Sequence, residues 1–399
     1  MRGSRPPVST DFGRRCALLL ALSLLTVSCA TARLVDPFLA SRLGDLLLVG
    51  FRGTDVEGNG EVFHLVCTLK VGGVILFERD IATGTPRNIT DPQQLRRLTR
   101  DLQALARRCA GRPLLIAADS EGGEVMRLSP RVGYSPTPSA RELGELGDLA
   151  LTELEARRIG GMLREAGITW NLAPVVDLAL NPLNPVIVTR GRAFAPDPER
   201  VTAHARAFLK GMKAAGVLTA LKHFPGHGSS RGDSHRGFVD VTETAPHVLE
   251  LLPYLTLISE GLVDSVMTAH VVNRKLDPSY PATLSRPIVH GLLRGELAFR
   301  GVVVSDDLLM GAIVNHFGLE EAALLALEAE VDMLLISQDR LGGASAAARV
   351  LKALTAALAS GRLSRDQVEG ALARIERLRD GALALEPPQE RLDLGAIRE

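Results

Sequence analysis

Excess charge of one sign is missing from this 399-residue chain, in which 46 lysines and arginines face 46 aspartates and glutamates. So balanced a sequence carries no electrostatic footprint for nucleic acid, and no such partner is expected. Long hydrophobic runs are also wanting: Cys16-Ala17-Leu18-Leu19-Leu20-Ala21-Leu22-Ser23-Leu24-Leu25, near the N-terminus, is too short for a membrane span. Of four cysteines, Cys16 and Cys29 fall in that N-terminal region. The other two, Cys67 and Cys109, fit no metal-site spacing and read as buried thiols, with a disulfide open to them in an exported protein. Tryptophan occurs once, and Trp170, at the start of a strand, reads as core rather than as a platform for a sugar. There is no internal repeat and no long low-complexity linker. Gly50-Phe51-Arg52-Gly53 is not a dinucleotide-binding turn, and no H-E-x-x-H helix occurs.

What is present begins with a leader. Arg2, Arg5, Arg14 and Arg15 precede the short apolar run, and small residues follow it. That order makes residues 1–32 a secretory signal. Leu25-Thr26-Val27-Ser28-Cys29 resembles a bacterial lipoprotein signal, in which cleavage before Cys29 lets that cysteine carry the lipid. Thr26 stands where an aliphatic residue is usual, and cleavage after Ala30-Thr31-Ala32 is the rival reading. The expected location is the cell envelope or periplasm, with a lipid anchor through Cys29 preferred.

Beyond the leader, short apolar runs alternate with helical patterns. Strands are expected at 46–49, 74–77, 114–118, 169–173, 218–221, 265–268, 302–305 and 333–336. Helices are expected at 93–109, 152–166, 199–215, 246–261, 286–297 and 319–330, with 345–359 and 364–379 completing an outer layer. Parallel strands need crossover helices, so eight of each predict an α/β fold, a (β/α)₈ TIM-type barrel in a single catalytic domain over 33–384. Residues 385–399 read as a polar tail. A doubly wound open sheet is the runner-up.

A barrel places its chemistry after the C-terminal ends of its strands. Those ends carry Asp119-Ser120-Glu121, Asp177, Lys222-His223, His270, Asp306-Asp307 and Gln338-Asp339, which are expected to converge on one mouth. Asp306 and Asp307 suit a nucleophile or a stabiliser of developing positive charge, with one of them free to support its loop or cap a helix. After the fifth strand, Asp233-Ser234-His235 sets a carboxylate two residues from an imidazole, a pair able to donate and remove a proton near neutral pH. Gly226, Gly228 and Gly232 suggest a moving arm. A metal site from His223, His227, Asp233 and His235 is the sharp competitor, opposed by the ammonium of Lys222; no metal and no cofactor is expected. Asp119, Arg127 and Arg192 suit a polyhydroxylated ligand, or else form rim ion pairs.

Taken together, Val71-Gly72-Gly73-Val74-Ile75-Leu76-Phe77, Asp119-Ser120-Glu121-Gly122-Gly123 and Lys222-His223-Phe224-Pro225-Gly226-His227-Gly228 form a recognisable set. With Asp233-Ser234-His235, Leu292-Leu293-Arg294-Gly295-Glu296-Leu297 and Val304-Ser305-Asp306-Asp307-Leu308, the chain resembles glycoside hydrolase family 3, in its bacterial β-N-acetylglucosaminidase branch. The resemblance spans roughly residues 46–340. It implies Asp306 as nucleophile, His235 as general acid/base with Asp233 as its partner, and a sugar held by Asp119, Arg127, Arg192, Lys222 and His223. The implied reaction is retaining removal of terminal β-linked N-acetylglucosamine, from peptidoglycan fragments, by a protein acting as a monomer. Phosphorolysis and β-glucoside hydrolysis are the alternatives within the family. A non-catalytic wall-binding lipoprotein is the alternative outside it. Glu124 in place of arginine, Ser120 in place of glutamine and Leu309 in place of a small or polar residue depart from the branch pattern and leave the aglycone preference open.

Overall fold

In a computed structural model of the chain, which describes residues 36–80 and 83–384, the eight apolar runs become eight parallel strands. These are β1 (Leu47–Gly50), β2 (Gly73–Ile75), β3 (Leu115–Ala118), β4 (Trp170–Asn171), β5 (Leu218–Phe224), β6 (Ser265–Thr268), β7 (Val302–Val304) and β8 (Leu334–Ile336). Each strand pairs with its neighbours in chain order, and β8 pairs with β1 through Leu47–Leu334. The seam between β7 and β8 closes through a single bridge, Val304–Met333, with Ser305 N donating to Met333 O at 2.9 Å. This is the expected barrel. Its strands are buried on both faces, which is why they read as near-continuous apolar runs rather than alternating ones.

The crossover helices start where polar side chains can hold their free N–H groups. Asp91 accepts from Gln93 N and Gln94 N ahead of Pro92–Ala110, and Asp197 accepts from Arg200 N ahead of Pro198–Ala214. Leu149–Glu165, His247–Ser259, Leu319–Glu328 and Ala346–Ser360 follow the expected spans to within a few residues. The segment expected as an ordinary helix near 286–297 winds more widely: over Pro287–Glu296 it has π-type turns, with Leu297 N donating to Leu292 O. Several short elements carried too little periodicity to be expected, among them the helices Pro37–Arg42, Ala140–Leu146 and Gly311–Phe317.

Two expectations are corrected. The last helix, Arg365–Ala384, does not join the outer layer. Its Arg379 reaches Asp45 (2.8 Å) and its Arg374 reaches Asp332 (2.8 Å), and those aspartates lie just before β1 and β8. The Gly381 Cβ position faces the Leu218 side chain at the start of β5. The helix therefore runs beneath the barrel, at the end opposite the mouth. The second correction concerns Cys67 and Cys109, which are half-buried and joined as a disulfide across a separation of 42 residues. It ties the segment following β1 to the end of Pro92–Ala110.

Trp170 lies wholly in the core, as expected, with its Nε1–H donating to Ser265 Oγ at 3.0 Å. The leader, Cys29 within it, and the tail 385–399 lie outside the described residues. Among the described residues, no helix is long and apolar enough to cross a membrane.

Candidate active site

All eight residues singled out as candidate catalytic or binding groups line one cavity of about 370 Å³ at the C-terminal ends of the strands. Ile75, Leu172, Met267 and Leu335, from four different strands or strand ends, make its apolar base.

The third strand supplies the anchor. Asp119 follows Ala118, and the hairpin Ser120–Gly122/Val125–Met126 folds the chain back so that Arg127 returns beside it. Arg127 N donates to Asp119 O at 3.0 Å, and Arg127 Nη2 to Asp119 Oδ2 at 2.9 Å. Lys222, within β5 and almost wholly buried, brings its ammonium 2.8 Å from Asp119 Oδ1 and 2.7 Å from Glu121 Oε1. Arg192 meets Glu121 through two parallel bonds of 2.8 Å. Burial works against these carboxylate charges, but Lys222 and Arg127 hold Asp119 far below the usual range, and Arg192 and Lys222 hold Glu121 near 2. The result is a fixed, ionised lattice of alternating charge.

Glu121 is the principal residue that the candidate set lacked. Its position at the end of the third strand was visible, but its two cationic partners come from positions 71 and 101 residues further along. Asp177 is another support: it is wholly buried, accepts from His223 Nδ1 at 2.7 Å, and accepts from His227 N at 2.8 Å. It orients His223, whose Nε2 lies 3.4 Å from Arg192 Nη2.

The seventh strand carries the paired aspartates, and their environments differ. Asp307 Oδ1 accepts from Leu309 N (3.1 Å) and Ser337 N (2.9 Å), pinning its own loop to the end of β8. Asp306 is surrounded instead by imidazoles: burial raises its pKa, but His270, His223 and His235 outweigh this and lower it. Burial dominates at Asp307, which is raised. Asp306 is thus the more acidic of the two, an ionised carboxylate facing the cavity. His270, at the end of the sixth strand, underlies this pair, with Nε2 2.9 Å from Asp307 O.

The loop after β5 forms an arm. His227 turns inward between Ser230 Oγ (3.0 Å) and Ser234 Oγ (3.1 Å), and burial lowers its pKa to about 4, so it is neutral. Ser234 is thereby held inside, while His235 points outward with a half-exposed side chain. His235 Nδ1 lies 2.9 Å from Asp233 Oδ1, which also accepts from His235 N. The glycines at the root of the arm answer to packing: a Cβ on Gly228 would stand 1.7 Å from Leu178 O. The four residues weighed as a metal cluster are shared among separate partners, His223 with Asp177, His227 with two serines, and His235 with Asp233.

The expectation that every strand end converges on the mouth holds only in part: Asp177 and His270 lie behind the lining residues and support them, and the eighth strand end turns away altogether. Asp339 accepts from Ser345 Oγ, Ala346 N and Ala347 N, and so caps a helix start, with Ala346 N bonded to its backbone oxygen. Gln338 turns to Arg52. Neither lines the cavity. Arg79, Arg87 and Arg190 do line it, although sequence reasoning had not selected them. Glu124, the charge reversal near Asp119, is taken up by Arg190 on the exposed rim.

Comparison with known proteins bears on the family and the fold. Residues 38–378 match the glycosyl hydrolase family 3 N-terminal domain. The chain is 33% identical to beta-hexosaminidase A of Pseudoalteromonas piscicida over 90% of its own length, though it spans only 64% of that protein. Its structure is similar to that of a family 3 beta-N-acetylglucosaminidase from Paenibacillus sp. str. FPU-7, with a TM-score of 0.80 and 37% identity, covering 89% of this chain and 65% of that one. A beta-N-acetylhexosaminidase from Beutenbergia cavernae matches with a TM-score of 0.77 and 33% identity, covering 87% of this chain and 100% of that one. With a matched barrel and matched sequence along nearly all of the described residues, the chain belongs to glycosyl hydrolase family 3.

Proposed function

We propose that the protein is a retaining exo-β-N-acetylglucosaminidase that removes terminal, non-reducing N-acetylglucosamine from peptidoglycan fragments. One observation carries the reading: an ionised Asp306 and the Asp233–His235 pair border the same cavity as the Asp119–Lys222–Glu121–Arg192 lattice. A cavity of about 370 Å³ is of small-ligand size. Its fixed donors and acceptors suit sugar hydroxyls, since Asp119 accepts while Arg127, Arg192 and Lys222 donate.

In the proposed reaction an Asp306 oxygen bonds to the anomeric carbon as the glycosidic bond breaks, and His235 gives its proton to the departing oxygen. Asp233 holds Nδ1, leaving Nε2 for that transfer. In the second half, His235 takes a proton from water, the water oxygen bonds to the anomeric carbon, and the bond to Asp306 breaks. Most retaining glycosidases place a second carboxyl group where this reading places an imidazole. The names of the similar proteins, β-hexosaminidase and β-N-acetylglucosaminidase, support the sugar assignment.

Phosphorolysis is a second reading, favoured by Arg87. Its guanidinium borders the cavity, donating to Phe51 O and Ser337 O, and adds a cation to the cavity wall toward which an oxyanion would be drawn, against the nearby carboxylates of Asp80, Glu61 and Asp307. We also place the protein outside the cytoplasm, lipid-anchored through Cys29 and acting as a monomer. The leader residues support export, and so does the Cys67–Cys109 disulfide, a bond of oxidising compartments.

The experiment is a side-by-side assay of aryl β-N-acetylglucosaminide and aryl β-glucoside, with and without phosphate, reading the anomer of the first product by NMR. Release of β-N-acetylglucosamine unaffected by phosphate supports the main reading. A sugar 1-phosphate selects phosphorolysis, and an α-anomer first product sinks the retaining mechanism.

A further inference from the structure

The arm that carries Asp233 and His235 is fastened to the segment that carries Asp306. Gly311 N donates to His235 O and Ala312 N donates to Ser234 O, both at 3.2 Å. These two amides open the helix Gly311–Phe317, which begins four residues after Asp307. Met310, the residue between loop and helix, lines the cavity. The two halves of the site, 71 residues apart in the chain, therefore share a backbone joint.

Position 311 is where that joint is tightest. A Cβ placed there would meet Arg236 O at 2.9 Å, Arg236 C at 3.0 Å and His235 O at 3.0 Å, all backbone atoms that cannot swing aside. Gly311 is not among the residues with positive φ, so its backbone conformation does not demand glycine. Nor does the helix favour one, because alanine is the better helix former by up to about 1 kcal/mol. What remains as the reason for glycine is the closeness of the arm.

We infer that Gly311 is a positioning residue: by lacking a side chain it lets the arm settle onto the nucleophile-bearing segment and sets His235 at its working distance from the bond being cleaved. The inference rests on the reading of His235 as the acid/base. The arm's other fastenings, Ser234 Oγ against His227 and the side-chain amides of Asn181 and Asn184 on Ser230 O, hold its inner side, towards the loop after β4. An added methyl group would lift the arm by the few tenths of an ångström needed to relieve the contacts. Proton transfer is sensitive to displacement on that scale.

The test compares Gly311→Ala with wild type on a series of aryl β-N-acetylglucosaminides of graded leaving-group acidity and on an unactivated disaccharide. Gly161→Ala, at a helical site with open space around it, serves as control. The expected result is a loss of about tenfold or more on the disaccharide but less than about threefold on the best leaving group, with a steeper leaving-group dependence and unchanged thermal stability. His235→Ala should show the same pattern in stronger form. A Gly311→Ala enzyme whose losses are equal across the series, or that matches wild type throughout, overturns the inference. If instead wild type does not cleave these substrates, or His235→Ala shows no leaving-group dependence, the functional reading itself has failed. Should the alanine variant unfold at the assay temperature, the series is run at a lower temperature at which its melting curve shows it folded, and a variant that folds at no temperature overturns the inference in favour of a purely structural glycine.

Discussion

Arg192 and Glu121 face each other fork to fork, with Nε–Oε2 and Nη2–Oε1 both at 2.8 Å and both side chains nearly sealed from solvent. The pair joins the loop after β3 to the loop after β4, and the Lys222 ammonium extends it to β5. Three neighbouring staves of the barrel are thus held at their upper ends by charge. Glu121→Gln should cost about 3–5 kcal/mol of stability, because it leaves buried cations short of a counter-charge. It should also depress kcat/KM by misplacing Lys222 and Arg192. Glu124→Gln, which breaks an exposed pair with Arg190, should change stability by less than about 1 kcal/mol. Thermal unfolding of the two variants checks the contrast.

Asp306→Asn should remove turnover by orders of magnitude while leaving the unfolding midpoint near that of wild type, since among the described residues the Asp306 side chain accepts a hydrogen bond from the following amide alone. Asp307→Ala should do the reverse in emphasis. It deprives Ser337 N and Leu309 N of their acceptor and should cost about 1–3 kcal/mol, with activity falling only as far as the loop shifts. Assay and melting curve, run on the same preparations, separate the two roles.

Much of this site was legible because a barrel prints it in a simple pattern: an apolar run, then the residue that works. Asp119, Lys222, His223 and Asp306 each stand directly behind or at the end of such a run. Asp339 obeys the same pattern, yet it caps a helix, because a carboxylate at a strand end can turn either way and only the neighbouring amides decide. Glu121 was visible but unranked, since its worth comes from cations brought in by two other strands. The floor helix Arg365–Ala384 has the amphipathic pattern of an outer-layer helix; its place beneath the barrel is set by Asp45 and Asp332, buried acids whose partners no periodicity reveals.

A pH-dependent term in stability resides at Glu250. This carboxyl lies beneath the root of the arm, against Gly226, and burial together with the nearby Asp177 charge pushes its pKa up to about 8. The polar groups of Ser229 oppose the shift only in part, and Glu250 Oε1 has no hydrogen-bond partner among the described residues; Tyr254 and His227 lie around the same Asp177 charge. In the unfolded chain the group titrates near its ordinary value of 4.5. Below that pH both states hold the proton and no penalty exists. As pH rises from 4.5 towards 8 the unfolded chain ionises while the folded one does not, so stability falls by up to ~5 kcal/mol and then levels off. Glu250→Gln should flatten this slope and be more stable than wild type at pH 8 in chemical denaturation; parallel wild-type and variant curves would rule the effect out.

The disulfide closes a loop of 42 residues, for which the chain-entropy account gives about 4 kcal/mol. Replacing Cys67 and Cys109 together by alanine should lower the melting temperature markedly. Activity per folded molecule should be unchanged, since neither cysteine lines the cavity. Reductant should destabilise wild type and leave the double variant untouched.

The cavity has an apolar base of Ile75, Leu172, Met267 and Leu335, side chains of the barrel's own strands and strand ends. In the proposed reaction the sugar lies at the bottom and its leaving group above it, so departure runs in a forced order, the group nearest the door going first. The freed monosaccharide leaves last, and until it does the next chain end cannot be seated. Released N-acetylglucosamine should therefore compete directly with substrate, and the enzyme should let go of its glycan after every cut rather than travel along it.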